Sequence, residues 1–157
     1  MNTVFALSSL VAVAATVMVI TRRNAVHALL YLIVSLLAVA VVMLLLGAVF
    51  VAALEVIIYA GAIMVLFVFV VMLIGPEDVV LRPRAWIGPA LLGAILLGEL
   101  VWVLARGPLA AAQSTAEISP KQVGIALFGP YVLGTEVAAF LLLAGLVGAY
   151  HLGRRRK

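Results

Sequence analysis

The sequence contains no cysteine, and this absence excludes several kinds of chemistry at once. Without thiols the chain cannot form disulfides, hold an iron–sulfur cluster or zinc through thiolates, or use a cysteine nucleophile. Its two histidines, His27 and His151, are far apart in the sequence and close to the ends of predicted helices. We therefore predict neither a metal site nor a catalytic residue on this chain.

Charged residues are also scarce. They make up 10% of the 157 residues, whereas 68% are hydrophobic, and the mean hydropathy is +1.37. This composition is typical of a helical membrane protein and excludes a water-soluble domain. The net charge of +4 does not indicate nucleic-acid binding, because the basic residues lie at the ends of apolar segments. We predict an all-α integral membrane protein with a single membrane domain over residues 1–157.

Five apolar segments are long enough to cross a ~30 Å hydrocarbon layer as helices, which takes about 20 residues each. These spans are predicted over residues 3–20, 26–46, 52–74, 86–105 and 130–151. The first is not a cleavable signal peptide, because Arg22 and Arg23 follow its apolar run instead of preceding it. Ser119 and Pro120 are typical of an N-cap followed by proline at the first helical position, so a short interfacial helix is predicted over about 120–128.

The distribution of basic residues predicts the orientation of the spans. With an exported N-terminus, the cytoplasmic segments contain Arg22, Arg23, Arg82, Arg84, Arg154, Arg155, Arg156 and Lys157. The outer segments then contain Arg106 and Lys121. This excess predicts a periplasmic N-terminus and a cytoplasmic C-terminus in a bacterial inner membrane.

Three carboxylates lie inside predicted spans, and no lysine or arginine accompanies them there. They are Glu55, Glu99 and Glu136. A charged side chain costs roughly 2.5–3.5 kcal/mol at a helix centre on insertion scales and less nearer the interface. The predicted orientation places all three in the outer half of the membrane. The other acidic residues are expected in solvated loops: Glu77, Asp78 and Glu117.

Glu55 and Tyr59 are spaced i and i+4, so their side chains project from one face of the third span. Tyr59 is expected near the membrane midplane, where an aromatic-belt role is less natural. The pair indicates proton or ion handling; the alternative is an interfacial glutamate beside a packing tyrosine. Gly61 permits close helix packing or a π-bulge, and packing is the more common role from sequence alone.

The other two buried acids have simpler interpretations. Glu99 shares a face with Trp102 and, one turn on, with Arg106, which predicts an ion pair at the outer boundary. Glu136 follows Gly134 and Thr135 in the first turns of the fifth span, where it could interact with the helix dipole or handle protons. Both roles for Glu136 stay open.

Three segments together resemble one known family. Residues 24–32 (NAVHALLYL), 53–73 (ALEVIIYAGAIMVLFVFVVML) and 126–149 (ALFGPYVLGTEVAAFLLLAGLVGA) are similar to subunit J of bacterial respiratory complex I. That enzyme is the proton-pumping NADH:quinone oxidoreductase, and the mitochondrial counterpart of the subunit is NADH dehydrogenase chain 6. The resemblance covers most of the chain and implies five membrane helices with an exported N-terminus.

The resemblance also implies roles for individual residues. The third helix is expected to have a π-bulge around Tyr59–Ala62 and the residues just after, including Val65. Its straightening and re-forming would gate a water-filled path between the quinone site and the pumping subunits. Tyr59 would line this path beside carboxylates of subunits A and K, and Glu55 matches a family glutamate. Gly61 would permit the change in helix geometry.

The resemblance places the redox chemistry on other chains. NADH, FMN, iron–sulfur clusters and quinone are expected on other subunits, and no cofactor is expected here. The expected partners are subunits A, K and H, the adjacent antiporter-like subunit, and lipids. Three alternatives stay open: the equivalent subunit of a complex with another electron donor, a subunit of a multisubunit cation/proton antiporter, or a purely structural assembly subunit.

Overall fold

The computed structural model describes residues 2–74, 86–105 and 118–154. These residues form helices and contain no strand. The helices are α1 (Asn2–Thr21), α2 (Ala25–Leu45), α3 (Val49–Ile74), α4 (Ile87–Ala105), α5 (Pro120–Phe128) and α6 (Val132–Gly153). All except α5 are long and apolar enough to cross a membrane. The predicted all-α class with five membrane helices is confirmed, and the boundaries agree within three residues.

The chain divides into two compact units, residues 1–117 and residues 118–157. The first unit contains α1 to α4 and the second contains α5 and α6. Each unit is described by itself below. The prediction of one membrane domain is not tested by this division and stays a prediction.

In the first unit, α1 and α2 form a helical hairpin against which α4 packs. Their shared core is a cluster of small and branched apolar side chains: Val11, Ala15, Val34, Ala38 and Leu96. Beside it, the hydroxyls of Thr16 and Ser35 are 2.8 Å apart, and the Ser35 hydroxyl donates to the carbonyl of Ala12 at 3.2 Å. Small and hydroxyl side chains of this kind allow membrane helices to pack closely.

The connections at both ends of α2 are short. Asn24 caps the start of α2, because its side-chain oxygen accepts from the backbone N–H groups of Val26 at 3.0 Å and His27 at 3.3 Å. At the other end Gly47 has a φ of 83°, which glycine adopts readily, and this residue turns the chain. The turn is so tight that α3 begins at Val49, three residues before its predicted start.

At the end where α2 and α4 begin, Tyr31 is buried between two other segments. The guanidinium carbon of Arg22 lies 5.3 Å from the centroid of the Tyr31 ring, a cation–π distance. On α4, a Cβ atom added at Gly88 would overlap the Tyr31 hydroxyl. A glycine is therefore required at this contact, which holds α4 against α2.

In the second unit, α5 has the predicted N-terminus. The Ser119 hydroxyl accepts from the Gln122 backbone N–H, and the Gln122 side chain accepts from the Ser119 N–H, which is a capping box. The helix α6 begins at Val132, two residues after its predicted start, because Gly129 to Tyr131 form the connecting turn. The Thr135 hydroxyl donates back to the carbonyl of Leu127 at 3.0 Å, which ties α6 to α5.

Several sequence predictions fall outside the described residues. They concern the loop acids, the predicted partner of Glu99 and the basic residues of two loops: Glu77, Asp78, Arg82, Arg84, Arg106 and Glu117. The membrane orientation is likewise not tested by the fold and stays a prediction.

Candidate functional site in the third helix

The middle of α3 is not α-helical. Residues Val49–Leu54 and Met64–Ile74 are α-helical, whereas Glu55–Ile63 form a nine-residue π-helix, called here the π-helical segment. At its end the backbone N–H of Met64 reaches the carbonyl oxygen of Tyr59, five residues earlier. Bonding of this i→i+5 kind is rare, usually confined to a single turn, and frequently found at functional sites.

The local sequence tolerates this geometry. A π-helix brings residues five apart into contact, and an added Cβ at Gly61 would lie 3.1 Å from the carbonyl oxygen of Val56. That distance is tighter than ordinary packing, so the missing side chain of Gly61 relieves a contact specific to the segment. The flanking residues Ala60 and Ala62 are also small. The glycine therefore favours π-helical bonding, a role beyond plain helix packing.

Glu55 and Tyr59 both lie in the π-helical segment. Glu55 is its first residue and is partly buried, while the Tyr59 side chain is 50% exposed in this chain. Within the described part of the chain, neither side chain has a hydrogen-bond partner. Because a π-helix has more than four residues per turn, positions four apart remain close to one face. The phenol and the carboxyl group are therefore both available to other molecules.

Tyr59 is ten residues after the start of α3, about 15 Å along the helix at 1.5 Å per residue. This depth is near the middle of a ~30 Å hydrocarbon layer. Val65 follows the segment directly and is 52% exposed. The π-helical segment has no buried residue in this chain. An exposed phenol at this depth faces lipid unless another chain or water contacts it.

An apolar cavity of about 480 Å³ lies beside the first half of α3. Its walls come from α2, from α3 between Val49 and Val56, and from α4 between Gly93 and Leu100. No charged side chain lines it. The cavity gives the beginning of the π-helical segment room to move, which close packing of α2 and α4 against it would deny.

The other two candidate acids lie away from α3. Glu99 is buried on α4, and its Oε2 accepts a hydrogen bond from the Ser8 hydroxyl on α1 at 2.5 Å. Glu136 is exposed in the second turn of α6. Four predicted site residues, Glu55, Tyr59, Gly61 and Val65, thus lie on one helix, whereas Glu99 and Glu136 do not join them.

Sequence reasoning missed Ser8. This residue is fully buried and pairs with Glu99 across 91 positions of sequence. The only available signal was a hydroxyl side chain inside an apolar span, which is common in membrane helices and does not identify a partner. The predicted ion pair of Glu99 with Arg106 involves a residue outside the described ones.

A family model for NADH-ubiquinone/plastoquinone oxidoreductase chain 6 matches residues 15–152. This match includes α2, α3, α4 and α5 completely, and therefore the whole π-helical segment. The chain belongs to this family. The chain 6 family match starts after Ser8, so one partner of the Ser8–Glu99 pair lies outside it.

Individual relatives agree with the chain 6 family assignment. The chain is 56% identical over 152 residues to NADH-quinone oxidoreductase subunit J of Pseudomonas aeruginosa, covering 92% of both chains. It is 52% identical to subunit J of Escherichia coli strain K12, over 100% of this chain and 89% of the relative. Subunit J of Buchnera aphidicola subsp. Schizaphis graminum is 43% identical over the full length of both. The resemblance found in the sequence is thus confirmed.

Proposed function

We propose that this chain is a membrane subunit of NADH-quinone oxidoreductase, in which α3 contributes to the gate and proton path that couple quinone reduction to proton translocation. Family membership along the length of the chain supports the first part. The π-helical segment Glu55–Ile63 is the observation that carries the second part. The chain contributes to an oxidoreductase without a redox site of its own.

The gate would work through a change of backbone bonding. If the N–H of Met64 moves from the carbonyl of Tyr59 to that of Ala60, the local π-helix becomes α-helical. Each residue that a helix absorbs or releases in this way rotates the flanking parts by about 100° relative to each other. Such a segment has two discrete arrangements, which is what a switch requires. The side chain directions of Tyr59 and Val65 would change together.

Within that gate the two polar side chains have different tasks. A phenol donates and accepts hydrogen bonds without ionising, so Tyr59 would orient water in the path. The carboxyl group of Glu55 can gain and lose a proton, so it would pass protons to or from that water. Glu136, exposed on α6, would either interact with the start of that helix or handle protons.

The half-exposed phenol at mid-membrane depth supports a partner surface on α3. We propose that, of subunits A, K and H, the first two face this segment. The third and the adjacent antiporter-like subunit would be further neighbours, with lipid covering the rest. The membrane would be the bacterial inner membrane. NADH, FMN, iron–sulfur clusters and quinone would be bound by other subunits, since most of this sequence is needed to cross the bilayer.

Purification of the intact complex through an affinity tag on this chain tests the assignment. We expect co-purification of subunits that oxidise NADH, and NADH-dependent quinone reduction coupled to proton transport in vesicles. Membranes that lack the chain should lose both, and the tagged chain should restore them. Co-purification with a different electron-donor module, or with antiporter subunits alone, would contradict the proposal.

A further inference from the structure

We propose that Ser8 and Glu99 form a buried proton-binding site between α1 and α4, separate from the candidate site in α3. Ser8 is fully buried and Glu99 is 8% exposed. The Ser8 hydroxyl donates to Oε2 of the carboxyl group. The proposal depends on this geometry alone and on no property of α3.

The second carboxyl oxygen identifies the ligand as a proton. Oε1 of Glu99 is buried and has no hydrogen-bond partner. Because it is not exposed, no side chain of another subunit can reach it. An ionised carboxyl group with one hydrogen bond in an apolar surrounding is strongly disfavoured over the protonated acid. A proton on Oε1 removes this charge, while Oε2 keeps the hydrogen bond from Ser8.

The described groups around Glu99 supply no compensating positive charge. The titratable side chains on the helices of this unit and at their described ends are Arg22, Arg23, His27, Tyr31, Glu55 and Tyr59. Ser8 is 14 residues before Arg22, about 21 Å along α1, so the basic groups lie at the opposite end of the helices. Glu55 and Tyr59 carry no positive charge. The carboxyl group is therefore neutralised by a proton that it binds itself.

The site is closed towards the interior of the unit. One turn from Ser8 on α1 is Val11, and one turn from Glu99 on α4 is Leu96, and both belong to the apolar core cluster. This cluster separates the pair from the hydroxyls of Thr16 and Ser35 further along α1 and α2. A proton can therefore exchange only towards the end where α1 begins and α4 ends. In the predicted orientation that end faces the periplasm.

Infrared difference spectra of the purified complex test this site. In the wild type minus E99Q difference, we expect the carbonyl stretching band of a protonated carboxylic acid. The S8A variant should keep this band but shift it to higher frequency, because the carbonyl oxygen loses its hydrogen bond. The matched control is S9A, which removes the neighbouring hydroxyl of α1 and should leave the band in place.

Two results would overturn the proposal. Loss of carboxylate bands in place of the carbonyl band in E99Q would show an ionised Glu99, as the predicted pairing with Arg106 requires. An unshifted band in S8A would show that Ser8 does not contact the protonated group. If E99Q fails to assemble, S8A still decides, because it leaves the carboxyl group intact. These spectra do not depend on turnover, so their failure would leave the proposed role of α3 untouched.

Discussion

The backbone N–H of Met64 donates to the carbonyl oxygen of Tyr59, five residues earlier in α3. The residue that carries the candidate phenol thus also provides the acceptor at the end of the π-helical segment. A change of this one hydrogen bond to the α-helical pattern would reorient the phenol. Backbone geometry and the position of the polar side chain are therefore coupled in α3.

Gly61→Ala should impair the gate without preventing assembly. The added Cβ would lie 3.1 Å from the carbonyl oxygen of Val56, so it disfavours the π-helical form specifically. A cost of about 1 kcal/mol on that form alone changes the ratio of the two forms roughly fivefold. We expect NADH-dependent quinone reduction in purified complex to fall by a similar factor.

Gly93→Ala is the matched control for this substitution. A Cβ at Gly93 meets nothing within 4 Å, although the residue also lies in a membrane helix of the same unit. Its turnover should equal that of the wild type. Equal loss in both variants would show that the effect of Gly61→Ala comes from general helix packing.

Tyr59→Phe should lower coupled activity only in part. The substitution keeps the ring but removes the hydroxyl that would orient water, and a hydrogen bond of this kind contributes about 1 kcal/mol. Proton transport and quinone reduction in vesicles should fall together, by about fivefold. Tyr150→Phe on α6 is the control and should have no effect. Full pumping in Tyr59→Phe would remove the phenol from the proton path.

Gly88→Ala should destabilise the contact between α2 and α4. The new methyl group would overlap the hydroxyl of the buried Tyr31, and overpacking of this kind typically costs about 1–3 kcal/mol. We expect a lower thermal midpoint for the purified complex. Tyr31→Phe in the same chain removes the overlapping oxygen and should restore part of the loss. No restoration would place the strain elsewhere.

The orientation can be checked with reporter fusions in intact cells. Alkaline phosphatase, which is active only after export, should be active when fused after Gly47 and inactive when fused after Lys157. A fluorescent protein that folds in the cytoplasm should show the reverse. An active phosphatase at the C-terminus would reverse the predicted topology of all five spans.

Local signals were sufficient for most of the fold. Membrane-length apolar runs predicted the five long helices, and Ser119 with Pro120 predicted the start of α5, because each depends only on nearby residues. The start of α3 was displaced because the turn is made by the conformation of Gly47 alone. The start of α6 was displaced because Tyr131 extends the turn after Gly129.

Long-range pairing could not be predicted in the same way. Nothing around Ser8 indicates Glu99 as its partner, because that contact depends on how α1 and α4 pack in three dimensions. The extent of the π-helical segment is also hidden, since its residues are as apolar as those of an ordinary membrane helix. The i and i+4 spacing of Glu55 and Tyr59 did indicate a polar site, and their family role came from the resemblance.

Structures of the whole complex in a resting state and during turnover would test the central claim most directly, if they resolve the backbone of α3 and its waters. We predict that the Met64 N–H bonds to Tyr59 in one state and to Ala60 in the other, with the Tyr59 hydroxyl contacting ordered water in only one. The same bonding of Met64 in both states of an actively pumping complex would contradict the proposed gate.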